Sequence, residues 1–343
     1  MTAWTDHLAR QGARPNGAAV AFADAETEAR AAAEGTIAVP LLHLGVIRST
    51  GPDSATFLHN LVSNDVLRLA ADDAAWNSFN SPKGRMIASF LMWSEAEGHA
   101  LALSADILPA VLKKLSMYVL RSKVKLADAS ADTLLIGVSG AGAITALRAA
   151  GLPVPDAAMK QASDAEGSRC MRIGDAMFVV AAPAGSAPRL FDALAAGGAA
   201  KAGTAAWQLA MIRAGIPLVT AATQEEFVAQ MLNYELIGGV SFQKGCYPGQ
   251  EIVARTQYLG KLKKRMYRLA IPGDAAPAPN ADLFAPDFGA QSAGKLVNVA
   301  PAPGGGFEAL AVLQTSSAEA GEVHLGSPDG ARLTLLGMPY PLA

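Results

Sequence analysis

Across 343 residues the chain has only two cysteines, Cys170 and Cys246, and its net charge at pH 7 is only −2. Two cysteines cannot build a disulfide framework, and their scarcity suits a reducing compartment, so a cytoplasmic protein is expected. A near-neutral total gives no global drive toward nucleic acid or an anionic membrane, and any polyanion contact must come from a local patch. The sequence has no run of about 18 uncharged apolar residues, and no basic segment leads into an apolar one at its start. Neither a membrane span nor a secretory leader is therefore expected. Metal ligands are scarce too. Cys246 has no Cys or His partner at ligand spacing, so it cannot hold a cluster alone and no resident metal is expected.

Apolar residues are plentiful at 51%, against 17% charged, which is the composition of a folded chain with a sizeable core. The length favours two or three domains. Residues 41–49 form an apolar run that stops at Gly51-Pro52-Asp53, as a buried strand before a helix start would. Phe57, Leu58, Leu61 and Val62 recur at helical spacing and leave His59 on another face, expected to be exposed. Residues 85–93 and 99–104 read as a hairpin, followed by a helix over 105–118 capped by Ser104. The same order returns in strands 169–173 and 176–181 and a helix over 186–196, which points to an α+β duplication with helices covering one face of each sheet.

Beyond Arg255 the pattern changes. Residues 272–286 are rich in Pro, Ala and Asp, as a linker is, and short strands at 266–271, 294–299, 307–313 and 331–336 fit a small β-barrel. The resulting division is an N-terminal extension over 1–40, a first α+β subdomain over 41–130 and 205–260, a second over 131–204, and a C-terminal barrel over 261–343.

Chemistry concentrates in residues 238–255, Gly-Gly-Val-Ser-Phe-Gln-Lys-Gly-Cys-Tyr-Pro-Gly-Gln-Glu-Ile-Val-Ala-Arg. Gly245 and Gly249 permit positive φ or close backbone approach, and Pro248 fixes a bend between them. Lys244, two residues before Cys246, is placed to favour the thiolate. The residues alone leave a second reading open, a surface turn with Cys246 as a small buried hydrophobe.

Lys244 to Glu251 resembles the Lys-Gly-Cys-Tyr-x-Gly-Gln-Glu hallmark of the YgfZ family of folate-binding proteins at every fixed position. Similar residues recur at 207–217, Phe227, Gln230, Asn233, Gly238-Gly239, Arg255, Gly260 and Lys264-Arg265, and nearer the start at Phe57-Leu58, Val62-Ser-Asn-Asp65 and Pro82-Lys-Gly-Arg85. The resemblance covers roughly residues 41–271, and through it the chain is similar to the tetrahydrofolate-dependent aminomethyltransferases. It implies two α+β subdomains and a barrel around a central cavity, binding of tetrahydrofolate or a folate derivative, and support for assembly or repair of iron–sulfur client proteins and, through them, of tRNA modification. It also implies that Cys246 and Lys244 carry the chemistry, and that Gly245, Tyr247, Gly249, Gln250, Glu251, Arg255, Arg213 and Asn233 line the folate site.

Two departures bear on activity. Ala88 and Ser89 stand where the aminomethyltransferases carry acids, so general acid/base help is missing and classical aminomethyl transfer is not expected, although a tetrahydrofolate-dependent transferase or demethylase is the alternative activity. Arg213 replaces a glutamate thought to contact the pterin, and a guanidinium accepts no hydrogen bond. A third reading takes Arg255, Lys261, Lys263, Lys264, Arg265 and Arg268 as a nucleic-acid patch. Strand alternation splits these charges over two faces with few aromatics between them, which argues against direct binding.

Overall fold

The computed structural model describes residues 2–258 and 262–342, and Gly260 and Lys261 of the basic segment lie outside them. Among the described residues the chain is a mixed α/β protein with three open sheets, of two, six and five strands, and a closed six-stranded barrel. It divides into two compact units. Unit 1 comprises Met1–Ser54, Leu69–Ala75 and Leu91–Ala210; unit 2 comprises Ala55–Arg68, Trp76–Phe90 and Met211–Ala343.

Unit 1 contains a six-stranded sheet in the order Gln161–Ser163, Arg169–Gly174, Met177–Pro183, Thr133–Ser139, Ile37–Pro40, Ala200–Lys201. All pairs are antiparallel except the last. Met177–Pro183 is buried on both faces from Met177 to Ala182, which is why it reads as an unbroken apolar run rather than an alternating one. Helix Ala187–Ala196 lays Leu190, Phe191 and Leu194 on the core, where Trp4 and Leu8 of helix Ala3–Arg10 join them. Residues 1–40 therefore contribute side chains to this core and, through Ile37–Pro40, a strand to its sheet.

The second sheet has the order Ala74–Asn80, Met86–Glu95, Gly98–Ser104, Leu44–Thr50, Lys125–Asp128. The anticipated hairpin-plus-helix order appears twice, with one correction at a cap. The first helix spans Leu108–Ser116, not 105–118, and its N-cap is Ile107 without a side-chain bond, not Ser104. Pro109 in the first turn sets that start, because proline is tolerated where the helical N–H has no partner.

Unit 2 carries the barrel, closed in the order Lys264–Ile271, Phe307–Gln314, Gly294–Pro301, Asp282–Phe284, Val323–Leu325, Arg332–Leu336. Leu269, Leu283, Leu296, Ala311, Leu313 and Val323 fill its interior. Asp282–Phe284 falls in the stretch taken as linker and Val323–Leu325 was not anticipated; three residues are too few to display a period of two.

One glycine in unit 1 is fixed by close approach. A Cβ on Gly137 would lie 2.4 Å from Cε3 of Trp207, so the indole rests directly on the strand backbone. Gly137→Ala is expected to cost about 1–3 kcal/mol through overpacking. Urea unfolding checks this, and Gly151→Ala, where nothing lies within 4 Å of an added Cβ, gives a control at another glycine whose positive φ contributes its own strain.

Candidate functional site

The segment 238–258 lies wholly in unit 2, and three contacts shape it. Ser63 Oγ donates to the Gly239 carbonyl at 2.6 Å, and Asn64 Nδ2 donates to the Gly238 carbonyl at 2.6 Å. The Ser241 N–H in turn donates to the Ser63 carbonyl at 3.0 Å. At the far end Gly249, with φ +77°, rests on the turn after Asn80: an added Cβ would lie 2.5 Å from the Ser81 carbonyl oxygen and 2.6 Å from Gly84 Cα. No side chain fits between the two backbones, which explains the glycine.

Lys244 supplies the third contact. Its side chain is buried, and Nζ donates to the carbonyl of Val62 at 2.6 Å and to that of His59. The ammonium also sits 4.7 Å from the centroid of the Tyr247 ring, within cation–π range. Burial pushes its pKa down to about 8, against the pull of the Asp65 carboxylate. Lys244 thus faces inward to carbonyls and a ring, whereas Cys246 and Gly245 are exposed. The structure brings the two candidate chemical residues into one loop but gives the lysine a fastening role.

His59 is buried, contrary to the expected exposed face. Its helix presents it to the loop: an added Cβ on Gly245 would lie 3.8 Å from His59 Nε2. His59 Nδ1 lies 3.2 Å from Asp65 Oδ1. Burial, then the Lys244 charge, lower the imidazole pKa, while Asp65 opposes both. The sequence signal for these partners is the Val62-Ser-Asn-Asp65 tetrad, whose grip on the loop appears only in the fold.

Tyr247 is buried, its pKa is pushed up to about 12 by burial, and its hydroxyl has no hydrogen-bond partner among the described residues. Gln250 and Glu251 open a helix, Gln250–Tyr258, where a loop was expected. Glu251 in its first turn complements the helix dipole. Arg255, on the same helix, is exposed.

The remaining candidates face elsewhere. Arg213 closes a two-bond pair on Glu308 of strand Phe307–Gln314, with Nε at 3.1 Å and Nη2 at 2.7 Å from Oε1. Asn233, in the left-handed region at φ 54°, spends its amide on barrel strand Lys264–Ile271: Nδ2 donates to the Met266 carbonyl at 2.8 Å. Ala88 and Ser89 are buried, and Ser89 Oγ accepts the Val219 N–H at 2.8 Å, so neither supplies a titratable group. Arg265 of the basic run is buried and paired with Glu235, while Lys263 is exposed. Among the described residues no group of three His, Cys, Asp or Glu side chains is placed to hold a metal, and no helix is long and apolar enough to cross a membrane.

The six- and five-stranded sheets with their helices and the closed six-stranded barrel give the architecture of an aminomethyltransferase T fold. The structure is similar to the glycine cleavage system aminomethyltransferase T from Bartonella henselae, with a TM-score of 0.76 over 98% of this chain and 96% of that one, at 16% identity. In sequence, the chain is 31% identical over 235 residues to the tRNA-modifying protein YgfZ of Cronobacter sakazakii, covering 68% of this chain and 71% of that protein. It is equally similar, at 31%, to proteins of the same name from Vibrio vulnificus and Yersinia pseudotuberculosis, over 68% and 69% of this chain and 70% and 72% of theirs. No family model matches. At that identity and coverage the chain belongs to the YgfZ family.

Lys244→Met is expected to leave the His59 and Val62 carbonyls without their donor and to lower stability by about 2 kcal/mol or more. Lys244→Arg is expected not to restore it, because a planar fork cannot replace a compact ammonium at that point. Urea unfolding of both variants checks the pair.

Proposed function

We propose that the chain is a folate-binding protein that supports the assembly or repair of iron–sulfur proteins and, through them, tRNA modification, with Cys246 as its functional centre. The observation that carries this reading is the loop itself: it is fastened by Lys244, Ser63 and Asn64 from one side and by the Ser81–Gly84 turn from the other, and it holds one thiol in solvent. A thiol held this way is open to a second macromolecule. A cluster in transit is then cargo, held between Cys246 and ligands of the client.

The residues fit a folate. Tyr247 offers, from the same loop, a buried hydroxyl with no partner among the described residues. Exposed Arg255 and Lys263 offer positive charge for the anionic glutamate tail through solvent. Bound folate supplies a one-carbon carrier or a redox-active pterin; this chain's own residues bind and orient it. Aminomethyl transfer is disfavoured, because Ala88 and Ser89 bring no carboxylate and Arg213 is held by Glu308.

Calorimetric titration with 5-formyltetrahydrofolate is expected to give micromolar affinity. Cys246→Ser is expected to change stability by less than about 0.5 kcal/mol, as an exposed near-isosteric replacement does, yet to abolish support of iron–sulfur enzymes in a complementation assay. Full complementation by Cys246→Ser would show the loop to be structural.

A further inference from the structure

Strand Ala74–Asn80 carries a contrast between its two faces. Successive strand side chains alternate, so Trp76, Ser78 and Asn80 share one face and Asn77 and Phe79 the other. Asn77 is bonded, its Oδ1 accepting the Asn64 N–H at 2.9 Å. Asn64 and Asn233, in the same unit, also spend their amides on backbone groups. Asn80 does not. It is 1% exposed, and neither Oδ1 nor Nδ2 has a partner among the described residues. Ser78, two residues back on the same face, is fully buried, and its Oγ is also without one. Leaving a complete amide unpaired in the interior costs folding energy, and such groups in native chains are ordinarily met by a ligand, an ion or water.

The chemistry of this face is specific. A primary amide presents one donor and one acceptor in a plane, which is the complement of the N–H and C=O of a cyclic amide. Ser78 adds a hydroxyl that serves either way, and Trp76 adds an aromatic wall for a flat ring. The turn that follows Asn80 is the one on which Gly249 rests, so the end of this strand adjoins the cysteine loop.

We infer that Asn80 reads the cyclic-amide edge of the pterin, with Ser78 and Trp76 completing the ring site; this rests on the folate reading. The assignment supplies the polar recognition that Arg213, bound to Glu308, does not.

Binding of 5-formyltetrahydrofolate, folic acid and aminopterin, the 4-amino analogue of folic acid, tests it by calorimetry, with Tm measured in parallel. Asn80→Ala is expected to weaken 5-formyltetrahydrofolate at least tenfold while leaving Tm unchanged or raised, because it removes an unpaired buried group. Asn80→Asp is expected to shift preference from folic acid toward aminopterin by tenfold or more. A carboxylate sets its charge against the 4-oxo oxygen of folic acid, whereas the 4-amino group of aminopterin donates an N–H to it. Wild-type affinity in Asn80→Ala with a lowered Tm would make the amide structural and overturn the assignment, and so would an unchanged ligand preference in Asn80→Asp. A wild-type chain that binds none of the three ligands overturns the folate reading and this assignment together, whereas binding that is indifferent to residue 80 overturns this assignment alone.

Discussion

The bond between the Lys244 ammonium and the carbonyls of His59 and Val62 is the constraint on which the candidate site depends. A lysine this well buried pays for desolvation, visible in its lowered pKa. Two carbonyl oxygens and the Tyr247 ring face offset that cost, because both favour the charged form. Once Nζ is turned inward, the short Gly-Cys step beyond it is left in solvent. Ser63 and Asn64 hold the Gly238-Gly239 entrance from the same segment that supplies Val62, so one stretch of chain grips the loop at its start and at its middle.

This geometry separates two roles that proximity in sequence had merged. Lys244 fastens and Cys246 is presented. His59 and Asp65 complete the local electrostatics: the histidine loses basicity to burial and to the lysine, and the aspartate tempers both. The other thiol, Cys170, is buried in a sheet, and burial raises its pKa to about 12. Any thiol chemistry in the native chain therefore belongs to Cys246.

Much of the fold was legible because the signals were long. The runs over Met86–Glu95 and Met177–Pro183 and the spaced apolar faces of the helices after them announce both hairpin-plus-helix units. What stayed hidden was short or tertiary. Two barrel strands of three residues lack a period, and helix Gln250–Tyr258 is masked by Pro248-Gly249, which punctuates the chain just before it. His59 was misplaced because a residue off the apolar face of its own helix was assumed to meet water; a loop 185 residues further on covers it. Asn233 looked like a ligand contact, yet its amide stands in for a strand partner at Met266, a use of asparagine that no local pattern reveals. The octapeptide was visible at once, but the division of labour inside it required coordinates.

Lys244 holds the loop so that the thiol is presented in one place. Hydrogen exchange of the backbone amides over residues 244–253, compared between the wild type and Lys244→Met, tests it most directly. The Gln250 and Val253 amides, bonded to the Tyr247 and Gly249 carbonyls, are expected to lose protection in the variant while those of barrel strand Phe307–Gln314 keep theirs. Equal protection of the loop in both proteins would contradict it.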